Sequence, residues 1–142
     1  MSAESPEPAV KRESPRREGR QQHIRERSFA YALRAIKLCQ FLQSRRNGAG
    51  WALGRQYLRS ASSIGANVEE AQSAESRADF IHKLGIAQKE ARESLYWLRL
   101  LTESGIVQRT RVAPLMRETD EMIAVITAII VSTKRRKRSG NS

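Results

Sequence analysis

The stretch Ala61–Leu101, ASSIGANVEEAQSAESRADFIHKLGIAQKEARESLYWLRLL, decides how this chain folds. Its first part is rich in Ser, Ala and Gly. Counting from Leu53 and Tyr57 just before it, Ala61, Ile64, Val68 and Ala71 recur at steps of four and three. Such steps put them on one helix face, and small side chains on that face let two helix backbones approach closely. Gly65 costs a helix interior about 1 kcal/mol relative to Ala, so its presence predicts a neighbouring backbone against it. After a short break, Phe80, Leu84, Ala87, Ala91, Ser94, Leu98 and Leu101 again alternate steps of four and three. A 3.5-residue period is the seam of a left-handed bundle. Ser76 and Asp79 have the spacing of a capping box, with Asp in place of Glu or Gln.

The pattern extends in both directions. Phe29, Leu33, Ile36, Leu38, Phe41 and Leu42 repeat at helical spacing over nearly the full circumference. That predicts a helix buried on two sides over 27–46, ended by Asn47-Gly48-Ala49-Gly50. Helices over 51–74 and 77–103 follow. Gly105 marks the next turn, and Val112, Leu115, Met122, Ile126 and Ile129 give a last helix over 109–134. Nothing alternates with period two for long enough to make a sheet. Helices joined by short loops form an all-α, antiparallel, up-down-up-down four-helix bundle over residues 26–134. Residues 1–25 hold three of the four prolines and many charges, and read as a disordered mixed-charge arm. Residues 135–142 read as a basic disordered tail.

A chain of 142 residues is enough for a single core. Its net charge of +11 favours anionic partners, nucleic acid first and an acidic membrane surface second. The longest uncharged apolar stretch, Met122 to Val131, is far shorter than the roughly 20 residues of a membrane span. The N-terminal stretch has no apolar run of the signal-peptide kind. The expected location is the cytoplasm. The lone Cys39, among Leu38, Phe41 and Leu42, fits a buried, inert thiol better than a nucleophile.

Charge is unevenly placed. From Arg27 to Val68 there is no Asp or Glu but seven basic residues, whereas from Glu69 to Thr133 ten acids face eight bases. Arg34 and Arg45, eleven residues apart, point in nearly the same helical direction, and Arg55 and Arg59 are one turn apart. None of Arg34, Lys37, Arg45, Arg55 and Arg59 has an acid within four residues, whereas Lys89 can pair with Glu93 and Arg99 with Glu103. Arg34, Lys37, Arg45, Arg46, Arg55 and Arg59 are therefore the candidate phosphate contacts on the first two helices. Lys134, Arg135 and Arg136, which open KRRKR, add a flexible electrostatic tether. No recognition helix, zinc finger or RNP pattern is present, so contact would be to backbone rather than base sequence. The same charges could instead meet the more acidic half of a neighbouring copy. Reversing Arg55 and Arg59 to Glu separates the two: it weakens nucleic-acid binding in the first case and breaks the oligomer in the second.

Catalysis finds little support. His23 and His82 are isolated and no Cys/His ligand spacing occurs, so neither a metal nor a cofactor is expected. Glu69 and Glu70 adjoin Asn67, but adjacent carboxylates point in different directions around a helix. Asn67 either forms a buried hydrogen bond that fixes helix register or faces solvent. Tyr96, Trp97, Trp51 and Tyr57 fit core or interface anchors better than base-stacking platforms.

At SSIGANVEEA (Ser62–Ala71) and DFIHKLGIAQKEARESLYWLRLL (Asp79–Leu101) the chain resembles four-helix-bundle proteins encoded by intervening sequences of bacterial 23S ribosomal RNA genes. Relatives there include the accessory variability proteins of diversity-generating retroelements. The resemblance covers about residues 25–133. It implies an antiparallel bundle assembled as a homopentameric ring, and, in the retroelement members, a basic ring surface that binds nucleic acid and a reverse transcriptase. It implies no enzymatic activity. Ser63, Ile64, Asn67, Glu70 and Ala71 match the first motif; Phe80, Lys83, Ala87, Glu90, Ala91 and Leu98 match the second. With Gly65, Leu84 and Trp97, these are read as packing and assembly residues. The expected function is a non-enzymatic, oligomeric protein that binds nucleic acid without sequence preference. The alternative is a protein-interaction scaffold, for example an accessory subunit of a reverse transcriptase.

Overall fold

Each apolar stripe becomes a helix in the computed structural model, which describes residues 15–139 and the side chains of 19–136. Helix α1 spans Pro15–Ser44, α2 Gly48–Gln72, α3 Arg77–Glu103 and α4 Arg109–Ser139. Among the described residues there is no strand. Every helix packs on its two neighbours around a square, with α4 closing on α1, and among the described residues the backbones of diagonal helices do not approach closely. That is the up-down-up-down bundle.

Local chemistry sets most of the boundaries. The Asn47 side chain accepts from Gly50 N–H and caps α2, and Ser76 accepts from Asp79 N–H and caps α3. Each satisfies one backbone donor that the first helical turn leaves open. Gly105 turns the chain out of α3 with φ +78°, a conformation that glycine adopts without steric cost. The first helix differs from its expected 27–46 span. Proline is pre-organised for a first helical position, and α1 begins at Pro15, so residues 15–25 of the expected arm are helical, with Ile24 buried in the core. At the other end α4 continues through the start of the basic tail to Ser139. Residues 1–14 of the arm and 140–142 of the tail lie outside the described residues.

The tightest pair is α2 with α3, and the reason is composition. Ser60, Ala61, Ala87, Ala91 and Ser94 are all fully buried, and the Ser60 and Ser94 hydroxyls meet at 2.9 Å across the two helices. Larger side chains, Ile64, Val68, Leu84, Leu98, Leu101, Met122 and Ile126, fill the centre. The neighbouring backbone expected against Gly65 is there: a Cβ on it would lie in ordinary van der Waals contact, 3.4 Å, with the Ser28 carbonyl oxygen of α1.

The second helix pair is fixed by polar groups. Tyr57 donates to the Tyr31 hydroxyl at 2.8 Å, and Tyr31 lies 2.6 Å from the Thr119 hydroxyl. Thr119 in turn donates to the Leu115 carbonyl at 2.6 Å. The one consistent proton order runs from Tyr57 through Tyr31 and Thr119 to that carbonyl, linking α2, α1 and α4. Burial pushes both phenol pKa values up, so the chain stays neutral. This network takes the register-fixing role that the sequence offered to Asn67. The half-buried Asn67 amide instead donates to Ser63 C=O within its own helix at 2.8 Å.

The expectation that α1 is buried on two sides does not hold within one chain. Leu38 and Leu42 face the core, but Phe29, Leu33 and Ile36 are 67%, 49% and 41% exposed. A helix in a square bundle has neighbours over roughly half its circumference, so an apolar pattern running all the way round leaves one stripe uncovered.

Replacing Tyr31 by Phe strands the Tyr57 donor and should cost about 1–3 kcal/mol in urea unfolding. Tyr57→Phe removes only the chain's terminal donor and should cost less. Equal losses would show that the hydroxyl chain does not act as a directed series.

Candidate nucleic-acid interface

Arginine placement follows from helix spacing. Arg27, Arg34 and Phe41 are seven residues apart and Arg45 is four further, which lays them on one line along α1. Two members of that line show which way it faces. Arg27 pairs with Glu118 of α4 at 2.7 Å and also with Glu121, and the Phe41 ring lies 3.8 Å from the Arg111 guanidinium of α4. Arg34 and Arg45 therefore border the α1–α4 seam. Arg34 forms no ion pair, though its field helps lower the pKa of Glu118. Arg55 lies on the other side of α1, close enough to act on Cys39. The expected basic surface is thus split into two edges of α1.

Arg59 leaves the set altogether. It joins Glu93 and, at 3.4 Å, Glu90, both on α3. Its bond holds the Glu93 carboxyl below its ordinary pKa, while burial pushes Glu90 up. Counting acids within four residues could not find this clamp, because its partners are 31 and 34 positions away. It also removes Glu93 from Lys89, the partner that spacing suggested; the Arg99–Glu103 pair forms as expected at 3.7 Å.

Lys134, Arg135 and Arg136 stand at the far end of α4 from Arg45 and Arg46, so the two groups do not converge. Arg45 instead shares the Phe41 ring with a residue that sequence reading missed, Arg111 in the first turn of α4, where Arg109 also lies. A four-helix topology places the α1–α2 turn beside the α3–α4 turn, and a Cβ on Gly50 would lie 3.0 Å from Ile106. That juxtaposition was the available signal.

The residues read as packing and assembly groups lie mostly inside one protomer. Ile64, Leu84, Ala91 and Leu98 are core, and Gly65 rests on α1. Phe80 and Trp97 are half-buried against the core, Trp97 with its ring edge-on to Tyr96 at 5.2 Å. Tyr96 itself is exposed, and Trp51 half-buried. Ser63 is half-buried, and Glu70 pairs with Lys83 at 2.9 Å.

Residues 20–128 match the family described as 23S rRNA-intervening sequence protein. The chain belongs to that family. A solved relative is the protein of unknown function from the S23 ribosomal protein family of Bacteroides thetaiotaomicron VPI-5482. It is 36% identical, and the match covers 78% of this chain and 97% of that one with a TM-score of 0.72. None of the curated proteins compared with the chain matches it. In this 23S rRNA-intervening sequence protein the matched span runs from the first buried turns of α1 to just before Ile129 of α4, leaving KRRKR outside it. No helix is long and apolar enough to cross a membrane among the described residues.

Two outcomes follow from these pairings. Arg59→Glu places a third carboxylate beside Glu90 and Glu93 and should lower the melting temperature by several degrees, whereas Arg55→Glu, with no acid beside it, should leave it nearly unchanged. Glu118 has a depressed pKa, chiefly through its bond from Arg27. Its contribution is therefore complete above the unfolded carboxyl value of about 4.3 and is lost as pH falls through the lower folded value. The stability gap between wild type and Glu118→Gln, followed by thermal melts from neutral pH downward, should close over that acid range. A gap that stays constant to the lowest pH would contradict the pairing.

Proposed function

We propose that this chain is a non-enzymatic, oligomeric protein that binds the nucleic-acid backbone through basic residues of α1 and α2, without reading base sequence. The observation that carries this is where the acids have gone. Of the ten between Glu69 and Thr133, seven are engaged in ion pairs within the protomer, leaving Glu75, Asp79 and Asp120 outside any. Lys37, Arg45, Arg46 and Arg55 form no ion pair among the described residues. A neighbouring copy therefore offers few acids to receive them, whereas a polyanion offers one charge per nucleotide.

Assembly is supported separately. The exposed stripe of Phe29, Leu33 and Ile36 is the kind of apolar surface that marks an interface. A homopentameric ring, built from a contact repeated head to tail until it closes, is the state the family resemblance implies. The same stripe favours the second reading, a scaffold that docks another protein such as a reverse transcriptase. Neither reading requires a cofactor or a metal, and both suit the cytoplasm.

Fluorescence anisotropy with a short labelled RNA, repeated over a range of salt, tests the binding. The logarithm of the association constant should fall linearly with the logarithm of salt concentration. The variant Arg34→Glu/Lys37→Glu/Arg55→Glu should bind at least about tenfold more weakly, while light scattering reads the same mass for it as for wild type. Unchanged affinity would overturn a role for these three residues, a wild type that binds no RNA would overturn the nucleic-acid reading, and a monomeric wild type would overturn the ring.

A further inference from the structure

We propose that the bundle-end half of the α1–α4 seam is where nucleic-acid phosphates bind, through Arg45 and Arg111 held on the Phe41 ring and through Arg46 and Arg109 in the adjoining turn and helix start. This rests on the nucleic-acid reading above and adds to it a defined site with residues from two separate segments.

The first argument is electrostatic. Along the seam, Arg27 with Glu118 and Glu121 closes one half. Beyond them, between Gln40 and Leu58 and between Leu95 and Arg117, the one acid in the sequence is Glu103, and Arg99 holds it. Two guanidinium groups, Arg45 and Arg111, meet at this end, with Arg46 and Arg109 exposed on the adjoining turn and helix start, and no carboxylate is left for them. Arg45, Arg46, Arg109 and Arg111 make no ion pair among the described residues.

The second argument is geometric. Arg111 lies 3.8 Å and Arg45 5.2 Å from the centre of one ring, that of Phe41. A ring contact holds a guanidinium through its face and cancels none of its charge, so the N–H edges stay free for paired bonds to phosphate oxygens. Two arginines from separate stretches of chain, held by one ring, lose less freedom on binding than two solvated side chains would. Phe41 acts as a positioning residue and touches no phosphate itself. Arg46 adds a third sign. It sits just past the end of α1 with φ +54°, a left-handed conformation that usually falls to glycine, yet its exposed side chain gains no partner in the protomer.

The ligand chemistry follows. Arginine's planar fork suits phosphate, and a row of them bordering a seam suits a polymer of phosphates rather than a single anion. Among the described residues the exposed large apolar side chains stand on other stretches: Phe29, Leu33 and Ile36 further along α1, Tyr96 on α3 and Val131 towards the far end of α4, while Phe41 is half-buried beside Arg45 and Arg111.

The test uses the full chain and a short, unstructured, fluorescein-labelled RNA, titrated at several salt concentrations. Arg46→Glu/Arg109→Glu changes two exposed residues with no side-chain partner, so folding is preserved, and it should bind at least about tenfold more weakly with a shallower salt dependence. Arg45→Ala/Arg111→Ala should flatten the salt slope by about 0.7 for each single-strand phosphate that the variant no longer neutralises. Phe41→Leu keeps every charge: affinity should drop several-fold while the salt slope stays at the wild-type value. If wild type binds RNA and all three variants keep its affinity and slope, this site is overturned and the nucleic-acid reading stands on other residues. If wild type binds no RNA, the reading itself fails. Anionic lipid vesicles that bind in place of RNA, with the same dependence on these arginines, would also overturn the proposal.

Discussion

Three helices converge on a single chain of buried hydroxyls, and the orientation of α1 depends on it. Tyr57, Tyr31 and Thr119 each donate once, ending on the Leu115 carbonyl. Apolar stripes of similar residues would let helices slide by a turn at modest cost. A slip of α1 by one turn would leave buried hydroxyls with neither water nor partner, which costs far more than displaced methyl groups. With Tyr31 fixed, the rest of α1 is fixed too. The line of Arg27, Arg34, Phe41 and Arg45 must border α4, and Phe29, Leu33 and Ile36 must face outward. A polar device in the core thus decides which apolar and which cationic groups reach the surface.

The charge distribution has an internal logic of its own. In sequence the molecule reads as a basic half followed by a nearly neutral half. In the bundle the two halves are interleaved, and the acids of α3 and α4 are met by arginines of α1 and α2. Arg27 bridges α1 to α4, and Arg59 bridges α2 to α3. Exposed pairs of this kind contribute little stability each. Their larger effect is to sort the cations. Those with acid partners are set in the structure, and among those without them are Arg45 and Arg46 at the α1–α2 turn and Arg109 and Arg111 at the start of α4.

Much of the fold was legible in the sequence because its signals are local or periodic. The heptad of α3, the small-residue face of α2, the Ser76 cap and the close approach at Gly65 all follow from spacing and side-chain size. What escaped depends on which faces meet. The Phe29, Leu33 and Ile36 stripe has the same period as the core stripe beside it, and no count along the chain says which of the two a neighbour will cover. Arg59 looked unpaired because a search within four residues cannot see Glu90 and Glu93 on another helix. Arg109 and Arg111 looked like the start of a helix, and only the juxtaposition of two turns makes them companions of Arg45. Proline at position 15 did carry a helix-start signal, but the surrounding charge outweighed it. For the candidate site, then, the sequence identified residue types and the fold chose among them.

Cys39 gives the bundle a built-in gauge. It is the only sulfhydryl in the chain; it is buried, and that burial raises its pKa against the pull of Arg55. A shielded, protonated thiol is inert to ordinary alkylating and disulfide reagents until the structure opens around it. Its rate of modification therefore counts openings of α1, at the same helix that carries both the uncovered apolar stripe and the Phe41 ring. Any ligand or partner that seats on α1 should slow that clock, so the chain reports occupancy of its own first helix without an added label.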